Sequence, residues 1–504
     1  MAKKSVKKAT RKQSKKNLKK DSGKFAVVSP LDKMEIAEYP EHSKTYVEQR
    51  MLALKAASKS FEKLGIKKRI QILKNIRKDF IEESENLVER VHAETGKPTA
   101  EIYSGEIVAN IELLDFYIQY GPKYLKPESV PINPINYPGK KGKIHHRPLG
   151  VVAVLSSWNY PIALAMRAIV PALLAGNCVA FKPSAFASYS GELLADIFKR
   201  NLPTDCFEVF FGNKETNQAV ALNSDKVNFI GSVATGKALS ELCGKHLIPI
   251  STELSGKDAA IVLPDANLER AVQGILWGAF TNSGQNCASV ERIFLHQEIA
   301  DSFLEKFVDK ASKLRIEQDI GPLKNEKQMK LVESHVKEAK KHRGVKILCG
   351  GNRIPGSLYY EPTVILADKP DYVFMQEETF GPTVAVYIVD SFEEAISLTN
   401  DCDFGLTVSV WTAKPGIVQE VADEFETGVV TINNCVFTGA LPGAPWGGVK
   451  HTGHGVTNSK YGLLEMTRPQ FVLLDKSRSE KEPWWYPYNK ELLQLMQDVI
   501  RFSA

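Results

Sequence analysis

The sequence predicts an α/β fold of two doubly wound units with an extended arm, and three observations point there. From about residue 149, short β-branched runs alternate with helical segments. Beyond about residue 257 the alternation begins a second time. Ahead of both lie a helical stretch and a proline-rich, extended one, "PESVPINPINYPGKKGK". With 504 residues and 43% hydrophobic content, the chain is too long for one core.

The elements follow in order. From Met1 to Lys24, ten lysines and Arg11 stand against a single Asp21, a charge of +10. Subtracting it from the formal +6 of the whole chain leaves a mildly acidic −4 for residues 25–504. Residues 1–24 are therefore expected to be a disordered basic tail, either solvated or in contact with nucleic acid or an anionic membrane surface. Residues 45–119 read as helical: "VEQRMLALKAASKSF" and "IQILKNIRKDFIEESENLVERVHAETG" space their apolar residues by three and four, and Gly96 stops the second.

In the first alternating block, "GVVAVLS" precedes "PIALAMRAIVPALLAG", and "CVAFKPS" precedes "SGELLADIFKRN". "FEVFFG" and "KVNFIGS" are each followed by a helical segment in turn. This pattern makes a parallel sheet covered on both faces. The second block holds "AAIVLP", "LERAVQGILWGAF", "RIFLH", "VKILCGG", "TVAVYIV", "LTVSVWT" and "GVVTINN". The blocks meet in "PISTELSGKDAA", residues 249–260, and ligand clefts in such folds lie between units. At the far end, "EPWWYPYNKELLQLMQDVIRF" sets an aromatic cluster before a helical stripe of Leu492, Leu493, Met496, Val499 and Ile500. That stripe packs on the chain's own body or a sister subunit, or docks on a membrane surface.

Seven cysteines, at 178, 206, 243, 287, 349, 402 and 435, give an odd number and no CxxC pair. A reduced, cytoplasmic setting is expected, with no apolar leader and no spanning run. Cys178 and Cys349 flank apolar strands and read as packing. Cys287, in "TNSGQNCASV", differs. It sits on a turn among Asn282, Ser283, Gln285 and Asn286, where the sulfur is expected to be approachable and surrounded by backbone N–H groups. Alone it reads more readily as a structural thiol. A thiol nucleophile also needs an oxyanion donor and a base. Asn159 in "SSWNYP" follows a strand end, and Glu253 in "STELSG" ends another at the junction. Asn159 could instead cap the next helix, and Glu253 could be a surface carboxylate. Lys182 in "VAFKPS" and Gly231-Ser232 in "FIGSVATGKAL" stand at further strand ends, where parallel sheets bind ligands and helix N-termini hold phosphates.

Taken in order, "SSWNYP", "AFKPS", "FIGSVATG", "ELSGK", "FTNSGQNC", "EPTV", "QEETFGP", "GVVTINN" and "PWGGVKHTGHG" resemble the aldehyde dehydrogenase superfamily, from about Val151 to Glu465. The 34-residue spacing of Glu253 and Cys287 is the family's own. The resemblance implies a Rossmann-like cofactor domain (25–121 and 149–254), a catalytic domain (255–445), an oligomerisation arm (122–148 and 466–476) and a C-terminal extension (477–504). It implies Cys287 as nucleophile, Asn159 with the Cys287 N–H as oxyanion donors, and Glu253 as the base that activates water on a thioester. For the cofactor it implies Lys182, Ser184 and Ala185 at the adenosine ribose, Gly231 and Ser232 near the pyrophosphate, and Glu378, Phe380 and Trp158 about the nicotinamide end.

NAD-preferring members carry glutamate where this chain has Ala185, so NAD and NADP are both open. Lys214, in place of a usual glycine, could also favour phosphate. Tyr160 and Trp446 replace commoner phenylalanines along the aldehyde channel. Arg167 stands where succinate semialdehyde and some aromatic aldehyde dehydrogenases have arginine. The implied activity is NAD(P)-dependent oxidation of an aldehyde to an acid by a homodimer or homotetramer, with no metal. A semialdehyde acid is a second candidate substrate. Glu253, together with Cys287 and Asn159, disfavours both a CoA-acylating relative and a non-catalytic nucleic-acid binder.

Overall fold

The computed structural model describes residues 23–482 and 484–503. All but the last two residues of the expected basic tail lie outside these described residues. Lys24–Val28 pairs antiparallel with Glu35–Pro40, a hairpin that the sequence pattern did not reveal. Helices Lys44–Glu62, Gly65–Glu82 and Ser84–Thr95 follow, and Gly96 closes the third in the left-handed region at φ 70°. The long stretch expected to run unbroken to Gly96 is in fact divided at Glu83. There the backbone leaves helical geometry (φ −92°, ψ 5°), and the Glu83 carboxylate accepts from Asn86 Nδ2 at 2.7 Å. The break lets Leu73, Ile76 and Phe80 on one side and Leu87, Val88 and Val91 on the other all reach buried positions.

A six-stranded sheet runs in the order 453–454, 250–253, 226–230, 151–155, 178–182, 207–209. All its pairs are parallel except the last-formed edge, where Gly453 faces Glu253 antiparallel. Val151–Leu155 and Cys178–Lys182 are buried throughout, as strands covered on both faces must be. The chain starts at 151–155, moves outward through two strands, and returns to the other side of its starting strand. The reversal between 151–155 and 226–230 is a topological switch point, where a crevice opens at the strands' carboxyl ends.

A seven-stranded sheet follows in the order 346–349, 363–367, 383–389, 290–296, 258–262, 407–411, 429–432. It is parallel except at its 346–349 edge. Helix Leu268–Phe280 covers one face through Ala271, Val272, Ile275 and Ala279, packed with Ile293, Leu295, Phe303 and Phe307. Only four residues separate Glu253, ending the first sheet's strand, from Asp258, opening the second's. The carboxyl ends of one sheet are thereby brought to the amino ends of the other's central strands.

Both sheets belong to one compact unit. Leu125–Arg147 and Pro469–Ala504 form another. Within this second unit, Glu128–Val130 pairs antiparallel with Lys140–Pro148, and Lys140 bridges Asp475 at 3.2 Å and also Glu482. Phe471 to Leu474 and helix residues Leu493, Leu495, Met496, Val499 and Ile500 are exposed. No described helix is long and apolar enough to cross a membrane.

Candidate active site

The loop before Cys287 is a tight turn, Thr281–Gly284, with two successive residues in the left-handed region: Asn282 at φ 51° and Ser283 at φ 56°. Such non-glycine conformations cost on the order of 1 kcal/mol each and persist only where surroundings enforce them. Here the Glu101 carboxylate accepts from Asn282 N and Thr281 Oγ1, both at 2.9 Å. Ser283 Oγ donates to the Gly321 carbonyl at 2.8 Å. Gly284, at φ 68°, lies so close to the next loop that a Cβ would stand 2.0 Å from the Gly381 oxygen.

The polar neighbours of Cys287 are thus spent on holding the turn, and the thiol is only 9% exposed. This corrects the expectation of an approachable sulfur on a mobile loop. Burial, then the carboxylates of Glu253 and Asp258, push the thiol well above its ordinary value of 9.0, with Arg167 acting against them. At neutral pH the group is therefore a thiol, and its Sγ sits 3.5 Å from Glu253 Oε1. Gly256 packs directly beneath, where a Cβ would lie 2.0 Å from the Cys287 oxygen. Among the described residues nothing accepts the Cys287 backbone N–H.

Glu253 is fixed as the last residue of its strand, and its carbonyl accepts from Gly231 N at 3.1 Å. Oε1 also accepts from the Trp446 indole N–H at 2.8 Å, while buried Oε2 has no partner among the described residues. Asn159 follows the central strand Val151–Leu155, buried, with Nδ2 donating to the Gln285 carbonyl at 3.2 Å. The Asn159 carbonyl accepts from Asn282 Nδ2 at 3.1 Å and from Lys97 Nζ at 2.8 Å.

Lys97 is fully buried, pairs with Glu106 at 2.9 Å, and lies 3.6 Å over the Tyr160 ring. Glu106 Oε2 in turn accepts from Ile162 N and Ala163 N, otherwise orphaned donors at the start of helix Ala163–Ala175. Removing one partner of such a pair leaves an uncompensated buried charge. Lys97→Met should therefore lower unfolding stability by about 3–5 kcal/mol, read from denaturant midpoints, and should loosen the Asn159 amide. An unchanged midpoint would show that the pair carries no such weight.

The cofactor candidates lie on the crevice side of the six-stranded sheet. Lys182 ends its strand buried, and its ammonium makes no hydrogen bond or ion pair among the described residues. Burial pushes that ammonium down to about 8, opposed by the charge of Glu41. Ser184 accepts from Phe186 N and caps the next turn, which begins at Ala185. Gly231 and Ser232 lead into helix Val233–Lys245, whose N-terminus has no side-chain cap.

On the opposite side, the Glu378 carboxylate accepts from Gly256 N at 3.1 Å. Burial, then Glu291, raise it to about 8. Phe380 (φ 51°) meets Trp158 edge-on, with centroids 5.7 Å apart. Along the channel, the Tyr160 ring lies beneath Lys97, and the Arg167 guanidinium lies 5.7 Å from the Trp446 ring centre. Lys214 is exposed at the start of its helix.

Sequence reasoning does not single out several residues that hold this site. Lys97, Glu106 and Glu101 act as above. Buried Glu291 accepts from Thr379 N at 2.8 Å and Phe380 N at 2.8 Å, and pairs with Lys257 at 2.5 Å. A glutamate inside the apolar run "VERIFL" was a legible signal, because a buried carboxylate needs donors. Glu41, whose charge acts on Lys182, lies in a polar stretch and left no such signal. Among the described residues no cluster of histidine, cysteine or carboxylate is placed to hold a metal.

A family model described as the aldehyde dehydrogenase family matches residues 18–472. The chain belongs to the aldehyde dehydrogenase family. It is 34% identical over 92% of its length, and 88% of the relative's, to a 4,4'-diapolycopene aldehyde oxidase of Methylomonas sp. It is 33% identical, over 91% of its length and 90% of the relative's, to a protein of Mycobacterium ulcerans provisionally named succinate-semialdehyde dehydrogenase (NADP(+)) 2. A crystal structure of a Mycobacterium tuberculosis aldehyde dehydrogenase complexed with NAD+ superposes at TM-score 0.86, with 28% identity and coverage of 91% and 96% of the two chains. The dehydrogenase is thus an NAD(P)-dependent oxidoreductase that converts aldehydes to carboxylic acids. The residues at these strand ends fit such a cofactor: a buried ammonium without a partner among the described residues and a helix N-terminus without a side-chain cap stand at the carboxyl ends of the sheet.

Proposed function

We propose that Cys287 is the nucleophile of this aldehyde dehydrogenase, Asn159 and the Cys287 N–H its oxyanion donors, and Glu253 its base. The observation that carries the reading is the Cys287 Sγ 3.5 Å from Glu253 Oε1, beside a backbone N–H with no acceptor among the described residues. The thiol gives its proton to Glu253 as sulfur bonds to the aldehyde carbon. Negative charge develops on the carbonyl oxygen and is received by the Cys287 N–H and the second N–H of the Asn159 amide. NAD or NADP, when bound, supplies the hydride acceptor. Cys287 is left as a thioester, and Glu253 releases the thiol's proton to solvent; Glu253 then takes a proton from water, the hydroxyl adds to the acyl carbon, and the C–S bond breaks, the sulfur recovering its proton from Glu253. Lys182, Ser232 and Glu378 hold the cofactor, with Trp158 and Phe380 beside its reactive end. Assembly as a homodimer or homotetramer through the second unit fits its exposed apolar strand residues.

The aromatic walls of Tyr160 and Trp446 favour a broad range of aliphatic or aromatic aldehydes. A second reading, an aldehyde bearing a distant carboxylate, is favoured by Arg167, whose guanidinium has no carboxylate partner among the described residues. A panel of neutral and carboxylated aldehydes, assayed with each cofactor by absorbance of its reduced form, tests both. If carboxylated substrates are the natural ones, Arg167→Ala raises their KM about tenfold or more, while for neutral aldehydes, whose turnover feels Arg167 only through its charge on Cys287, KM changes far less. Equal effects on both classes would sink the second reading.

A further inference from the structure

Glu253 has its two oxygens in different situations. Oε1 accepts from the Trp446 indole N–H at 2.8 Å and lies 3.5 Å from the Cys287 sulfur. Oε2 is buried and has no hydrogen-bond partner among the described residues. Trp446 itself is 3% exposed, and its backbone is fixed by reciprocal bonds with Thr457, 2.9 Å and 2.7 Å long. Its ring packs with Cys287, Ala288, Leu406 and Val429. An indole N–H is a donor only, so it holds a carboxylate oxygen in one place, and it does so where water is excluded and the bond is strong. Phenylalanine, the commoner residue here in the family, would give the same apolar wall without the donor.

We propose that Trp446 is a positioning residue for Glu253: its N–H fixes Oε1 beside the sulfur, which leaves Oε2 as the oxygen that takes the proton of the hydrolytic water. This rests on Glu253 being the base of thioester hydrolysis. In that step water's hydroxyl adds to the acyl carbon, its proton goes to Oε2, and Cys287 departs as thiolate as the acid is released. Other charged groups near the sulfur are Asp258, Glu378 and Arg167, and none of them bonds Glu253.

The test uses the full chain with the best aldehyde of the panel and saturating cofactor, quenched at intervals and read by mass spectrometry of the Cys287 peptide. In Trp446→Phe the acyl-enzyme should form in full amplitude but decay about ten- to a hundredfold more slowly, the worth of a hydrogen bond to a charged group. Benzothienylalanine at position 446, which keeps the ring's shape and exchanges only N–H for sulfur, should behave alike and guards against a folding defect in the phenylalanine variant. In a Glu253→Gln background neither change should slow decay further. Wild-type decay in both variants would overturn the proposal, as would equal slowing in the Glu253→Gln background. If Glu253→Gln alone decays at the wild-type rate, the assignment of Glu253 as base fails instead.

Discussion

Cys287→Ala should lower aldehyde oxidation by about four orders of magnitude or more, the loss typical of removing a covalent nucleophile. The size follows from what remains. In the proposed mechanism Asn159 and the backbone N–H at 287 remain as oxyanion donors, but no atom is left to bond the aldehyde carbon. Stability should change little, because the loop is held by Glu101, Ser283 and Gln285 rather than by the sulfur. Tight cofactor binding with no turnover is the expected combination. Turnover within tenfold of the wild type would remove Cys287 from the chemistry. The raised thiol also predicts slow alkylation at neutral pH, since little thiolate is present below its ordinary value of 9.0, with the rate climbing as pH rises.

Glu253→Gln should stop the enzyme after its first turnover, with about one reduced cofactor formed per active site. The amide cannot take a proton from water, so the thioester on Cys287 persists. Its first turnover should also be slower than the wild type's, because the thiol loses the acceptor 3.5 Å away. Loss of general-base catalysis costs roughly 10²–10⁴-fold in the hydrolytic step. Multiple turnovers at the wild-type rate would assign the base elsewhere, and Asp258 and Glu378 are other carboxylates whose charge acts on the sulfur.

Much of this was legible in the sequence for physical reasons. Strands buried on both faces read as unbroken apolar runs, so "VVAVL" and "CVAFK" were plain, and the residues just past their ends were candidates by topology alone. Cys287, Glu253 and Asn159 were found by ordered motifs and spacing. The fold brings the Glu253 carboxylate to the Cys287 sulfur, and the Asn159 amide to the Gln285 carbonyl two residues before it. What escaped depends on long-range partners. Local pattern does not say that Lys97 reaches Asn159 across 62 residues, or that the Trp446 ring nitrogen meets Glu253 across 193. Burial of Cys287 escaped for a related reason: its polar neighbours looked solvated in sequence, but each is spent on a buried acceptor or donor. The hairpin at Lys24–Pro40 lacked a strong alternation, and its partner strand, rather than its own pattern, makes it a strand.

The most direct measurement is peptide mapping of the enzyme quenched during turnover of an aldehyde with its cofactor. The acyl mass should appear on the peptide carrying Cys287, in wild type transiently and in Glu253→Gln at close to one per chain. An acyl group on any other cysteine, or none on Cys287 in the Glu253→Gln enzyme, would contradict Cys287 as nucleophile and Glu253 as base.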